Sequence, residues 1–173
     1  MEDPLGKITE GKDLVGKLKN ALAGFLGYFD RENRRDADKI LREGVALRIE
    51  KQWGRISEIQ RDMVNQGQLE LVDDLEAGAL KLRQFADRLK TASYGYAGFF
   101  DAVRVNEDEL ENLYSYDVAM LDVADEVEQA VDNIEASLNS DGLPAALSHL
   151  KSISQDAIDT FEQRKEVILS TEA

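Results

Sequence analysis

The residues whose types and spacing come nearest to known chemistry open the chain. Gly6-Lys7-Ile8-Thr9-Glu10-Gly11-Lys12-Asp13 is one residue short of the phosphate-binding pattern G-x-x-x-x-G-K-[ST]. That loop needs a hydroxyl on the magnesium ion where this chain has Asp13, and Glu10 adds a negative charge beside the phosphates. It also needs a buried strand leading into it, which Met1 to Leu5 is too short to supply. Nucleotide binding is therefore not expected. His149 is the only histidine and cysteine is absent, so paired-histidine and thiolate metal sites cannot be assembled within one chain. Carboxylates are plentiful, as at Asp73-Asp74, Glu107 to Glu109, and Asp122, Asp125 and Glu126. None has the spacing of a calcium loop, and acids strung along helices usually face solvent. We expect no enzymatic activity, no catalytic residue, no cofactor, no metal and no small-molecule substrate.

Two other groups of residues suit binding. From Leu14 onward, Val15, Leu18, Leu22, Phe25, Leu26 and Phe29 fall within an arc of about 120° at helical spacing. Lys12, Lys17 and Lys19 flank that arc, and residues 5–29 carry four lysines against Glu10 and Asp13. A cationic, glycine-rich amphipathic segment of this kind suits a membrane surface, whereas the same stripe can equally pack on the chain's own core. Burying the seven apolar side chains from Leu14 to Phe29 is worth on the order of 10 kcal/mol in either place, so the segment is expected to be exchangeable. The second group is aromatic. Tyr94, Tyr96, Phe99, Phe100, Tyr114 and Tyr116 lie on both sides of residues 104–107, with Gly95 and Gly98 allowing close backbone approach. Such a cluster can plug the tip of a helical hairpin or form a partner pocket. Trp53, beside the apolar seam of its segment, is expected to pack in the core.

The elements that must position these groups are helical. Only Pro4 and Pro144 occur, each near an expected helix start, and alternating β-branched patterning is almost absent. Leu41, Val45, Ile49, Gln52, Ile56, Ile59 and Met63 step by three and four. Leu75, Leu82, Leu89, Tyr96 and Val103 recur every seven residues, as do Leu110, Asp117, Ala124, Val131 and Leu138, and Leu143, Leu150 and Ala157. A narrow seam at this spacing lets long helices pack side by side at small crossing angles. Breaks are expected at Asn65-Gln66-Gly67-Gln68, at Asn106 with Glu109 as a capping box, and at Asn139-Ser140-Asp141-Gly142 ahead of Pro144. The spacing thus predicts five helices near 5–29, 31–65, 68–104, 107–138 and 142–170. The fold class is all-α, an elongated antiparallel bundle of long hairpins.

Composition bounds what such a bundle can do. The 173 residues carry 21 Lys and Arg against 35 Asp and Glu, a net charge of −14. That acidity argues against nucleic acid as the main partner, because phosphates need a cationic face. The longest stretches without a charged side chain, 20–29 and 91–100, are about half of what a spanning helix needs. The acidic start Met1-Glu2-Asp3 does not resemble a basic secretory leader, so a cytoplasmic protein, peripheral to a membrane, is expected. The charge is also uneven. Residues 1–104 hold 18 basic and 18 acidic side chains, whereas residues 105–173 hold 3 basic and 17 acidic. The acidic part is either a solvated face or an arm that folds back on a less acidic partner.

An amphipathic amino-terminal helix, then a long hairpin over 31–104, then shorter acidic helices: in this order the chain resembles the phage-shock-protein A and ESCRT-III group of membrane-remodelling proteins. The resemblance is one of architecture and charge layout. It implies assembly on membranes through the hairpin, restrained by an acidic carboxy-terminal part. The expected organisation is an N-terminal segment 1–29 and a helical body 30–173, made of the hairpin 31–104 and acidic helices 105–173. The expected function is a non-enzymatic scaffold that self-associates through its hairpin and engages anionic lipid through residues 5–29. The alternative is a soluble adaptor for a protein partner, with 5–29 closing its own bundle.

Overall fold

The computed structural model describes residues 34–92 and 107–170, and within them the chain forms four helices and no strand. These are α1 (Arg34–Asn65), α2 (Leu69–Thr91), α3 (Glu107–Ser137) and α4 (Leu143–Ser170). The 32 residues of α1 span about 48 Å. The segment 5–29, where a fifth helix is expected, lies outside the described residues.

The seam seen in the sequence is the core. Leu41, Val45, Ile49, Gln52, Ile56, Ile59 and Met63 of α1 are all buried, as are Leu75, Leu82, Phe85 and Leu89 of α2. Ala124, Val127, Val131 and Ile134 of α3, and Leu143, Leu147, Leu150, Ala157 and Phe161 of α4, complete one continuous cluster, and the charged Asp117 of α3 is buried as well. The one amide on the α1 seam is satisfied locally, because Arg55 donates to Gln52 Oε1 at 2.9 Å.

The turns follow from their residues. At the end of α1, Gly67 takes φ +77°, where a side chain would be strained, while Gln68 N donates to Met63 O and Gly67 N to Val64 O. This Schellman arrangement satisfies the last carbonyls of the helix. Between α3 and α4, Ser140 Oγ accepts from Gly142 N and donates to Ser137 O, and Pro144 sits in the first turn of α4, where its missing N–H costs no bond. The α2 helix ends at Thr91, short of the expected residue 104. There the Thr91 hydroxyl donates back to Asp87 O, and Ser93 and Gly95 follow in sequence, all poor at prolonging a helix.

Register fixes the topology. Arg48 and Arg55 of α1 pair with Asp125 and Asp132 of α3, the same step of seven on each, so α1 and α3 run parallel. Lys81 and Arg88 of α2 likewise meet Gln155 and Glu162 of α4. Two antiparallel hairpins, α1–α2 and α3–α4, are thus stacked in the same direction, and the helices circle the core in the order α1, α2, α4, α3. Both hairpin turns lie at one end of the bundle, tied by Gln68 Nε2 donating to Leu138 O at 3.1 Å. The start of α1, the end of α2, the start of α3 and the end of α4 therefore gather at the opposite, open end. Contact between α2 and α4 is close at Gly78, where a Cβ would lie 3.2 Å from Leu150 Cδ2.

Candidate interaction surfaces

Charge is partitioned between the hairpins. Residues 34–92 carry 12 basic and 11 acidic side chains, and residues 107–170 carry 3 basic and 16 acidic. The second hairpin is folded against the first with arginines at the junction. Arg48 contacts Asp125 and Glu128, Arg55 donates to Asp132 and Glu135, and Arg88 Nη1 reaches Glu162 at 2.6 Å. The hydrogen bond to Glu135 is the main cause raising the Arg55 guanidinium above its ordinary pKa. Acids on the far face of α3 and α4, among them Asp122, Glu126 and Asp156, are exposed.

The apolar surface is partitioned too. Among the described residues the exposed large hydrophobic side chains are Leu47, Trp53, Val64, Leu69 and Leu80, all on α1 and α2. Trp53, expected in the core, is 41% exposed. It sits four residues beyond the buried Ile49, far enough round the helix to reach the outer edge of the α1–α2 contact rather than the centre. The Arg83 guanidinium lies 5.8 Å from its ring centroid, a cation–π arrangement. Beside them a groove of about 220 Å³ runs between Ile49, Glu50, Trp53, Leu82, Arg83, Ala86 and Asp87. Glu50 is joined to Lys90, whereas Asp87 makes no ion pair among the described residues. A shallower concavity at Ser57, Arg61, Val64 and Val72 continues the same face toward the turn end.

The open end holds the charged part of the core. Arg42, 4% exposed, donates to Leu89 O at 2.6 Å and so serves one of the terminal carbonyls of α2. Asp117 and Arg164 are both fully buried and joined at 2.6 Å. Burial pushes the Asp117 carboxyl up to about 6, against the opposing pull of the Arg164 charge and hydrogen bond. Asp117 was visible as an acid on the seven-residue seam of α3. Arg164 was not singled out, although the step Leu143, Leu150, Ala157 continues to it. Nothing in the sequence pattern distinguishes Arg42.

Of the residues read as binding candidates, Lys12, Leu14, Val15, Lys17, Leu18, Lys19, Leu22, Phe25, Leu26 and Phe29 lie outside the described residues, as do Tyr94, Tyr96, Phe99 and Phe100. Tyr114 and Tyr116 are on the first turns of α3, at the open end, and Tyr116 is half-buried next to Asp117. Both candidate groups thus join the bundle at the same end, one ahead of α1 and the other between α2 and α3. The loop-like residues 6–13 are also outside the described part. His149 is exposed on α4, and among the described residues no group of His, Asp and Glu gathers as a metal site. No described helix is long and apolar enough to cross a membrane. Comparison with protein-family models, with curated proteins and with solved structures finds no match to this chain.

Proposed function

We propose that this protein is a non-enzymatic helical scaffold, cytoplasmic and peripheral to an anionic membrane, with residues 5–29 as its lipid-binding element. The observation that supports this reading is the division of charge across the bundle. Two packed helical layers set the outer faces of the hairpins about 20 Å apart, at 8–10 Å per interaxial step. That is more than two screening lengths at physiological salt. An anionic leaflet meeting the first hairpin, which continues from residues 5–29 through Arg34 and Arg35, is therefore shielded from the exposed acids on the far face of the second, such as Asp122, Glu126 and Asp156. Each net positive charge near the leaflet adds about 1 kcal/mol to the apolar contribution of the segment. The seam is consumed within the chain, so self-association falls to exposed apolar residues of the first hairpin near its turn, such as Val64 and Leu69.

Flotation with phosphatidylserine-containing vesicles tests the reading. Wild type should float, and Leu18→Glu with Phe25→Glu should remain at the bottom while keeping the wild-type helical signal. Equal recovery of the two would end it. A soluble adaptor is the second reading, favoured by the groove beside Trp53, and it takes the lead if wild type does not float.

A further inference from the structure

The outer face of the first hairpin is complementary to itself. We propose that away from lipid it is covered by the same face of a second copy, in a closed dimer whose two-fold axis runs along the bundle between α1 and α2. This rests on the self-association in the proposed function and adds the surface and the symmetry through which it occurs.

Apolar pattern, charge and area each select a second copy. Trp53 and Val64 line the two concavities between α1 and α2. Steps of seven put the other exposed apolar residues on the same face: Leu47 through Gly54 to Arg61, Leu69 to Glu76, and Leu80 to Asp87, each ending on a residue that lines one of the concavities. Among the described residues α3 and α4 expose no large hydrophobic side chain, so the apolar surface that a second copy can offer is this same face. An axis along the bundle lays α1 over α2 of the second copy at unchanged height. Arg61 and Glu76 line one concavity and neither makes an ion pair among the described residues, so each arrives against the other residue of the second copy. Val64 likewise meets Val72 of the second copy, and Leu80 meets Ser57, by the register that sets Arg83 beside Trp53. An axis across the bundle would instead set the apolar turn end against the open end. The dimer also keeps the acidic hairpins outermost, since residues 107–170 hold 3 basic and 16 acidic side chains against 12 and 11 in residues 34–92. Their layers then lie three packing steps apart, about 27 Å and more than about three screening lengths. The 23 residues of α2 cover about 34 Å and the paired helices are about 20 Å wide. The contact therefore buries about 700 Å² on each copy and about 1,400 Å² in all, within the range of stable interfaces.

The experiment is sedimentation of the full chain without lipid over a range of concentrations. Wild type should pass from monomer to dimer and go no further, because a two-fold contact closes on itself. Leu80→Glu should abolish the dimer, and Arg61→Glu should weaken it about ten-fold by setting like charges against each other twice over. Both sites are exposed, so the helical signal should stay that of wild type. Arg61→Glu with Glu76→Arg should restore the wild-type dissociation constant. Val64→Cys, in a chain with no cysteine of its own, should join to its own counterpart beside the axis through a short thiol cross-linker. The proposal is overturned by a chain that stays monomeric at every concentration or grows without limit. It is equally overturned by a dimer that survives Leu80→Glu and Arg61→Glu unchanged, or one that Val64→Cys does not cross-link. No lipid enters this experiment, so a monomer here would leave flotation standing, whereas a chain that dimerises without floating would lose the membrane and keep the dimer.

Discussion

Arg164 Nε lies 2.6 Å from Asp117 Oδ1 with neither side chain exposed, which makes this pair the one ion pair among the described residues that is wholly removed from water. Burying two charges costs several kcal/mol each before their attraction is counted, so the pair is poor evidence for stability but each partner depends on the other. Arg164→Met should destabilise the protein by about 3–5 kcal/mol in urea unfolding, because it strands the carboxylate. Asp117→Leu with Arg164→Met should recover most of that loss. A double variant as unstable as the single one would mean that the pair holds the open end together by more than mutual compensation.

The same carboxyl sets a pH dependence. Its folded value of about 6 lies above the ordinary 3.8, so between those values the folded state binds more protons than the unfolded. Stability from this group is then fully present below the ordinary value and is lost as pH rises through about 6. Urea midpoints should increase from pH 7 to pH 5, a range in which ordinary carboxylates stay ionised. Asp117→Asn should flatten the trend. An unchanged slope in the variant would assign the effect to the general self-repulsion of an acidic chain.

The architecture was legible because one pattern carried it: each seam residue of α1 from Leu41 to Met63 is buried, and the break at Asn65 to Gln68 is a glycine-capped turn. What the pattern could not carry was partnership. Heptad spacing says that Asp117 faces inward but not that Arg164, 47 residues later, meets it there. Neither does it say that the acidic helices lie parallel to the neutral ones, since that depends on Arg48 and Arg55 finding carboxylates one layer away. Trp53 was misplaced because a residue at the edge of a seam belongs to the core or to the surface according to which side the next helix occupies, and only the assembled bundle fixes that side.

Glycines on neighbouring helices should respond in opposite ways to one methyl group. Gly54 lies in the middle of α1 with nothing within 4 Å of a Cβ, so Gly54→Ala should stabilise by about 1 kcal/mol through helix propensity alone. Gly78→Ala gains the same propensity but meets Leu150 Cδ2 at 3.2 Å in a fully packed layer, where crowding costs about 1–3 kcal/mol. Thermal melting should rank Gly54→Ala above wild type and Gly78→Ala at or below it. A clear rise for Gly78→Ala would show that α2 and α4 separate at little cost.

Charge reversal distinguishes the junction between hairpins from the outer face. Arg55 donates to Asp132, to Glu135 and to the buried Gln52 Oε1, so Arg55→Glu removes three contacts and sets a third carboxylate against the two acids. Partly exposed pairs contribute only about 0.2–1 kcal/mol each, the added repulsion is of similar size and a stranded buried amide oxygen costs about 1–3 kcal/mol, so the loss should total about 2–4 kcal/mol. Arg61 is exposed on the outer side of α1, and Arg61→Glu should stay within about 0.5 kcal/mol of wild type. Raising the salt concentration to about 1 M shortens the screening length to about 3 Å, so the gap between the two variants should narrow. Equal urea midpoints for the two at low salt would mean that the acidic hairpin is held by its apolar seam alone, with the arginines contributing nothing measurable to its docking.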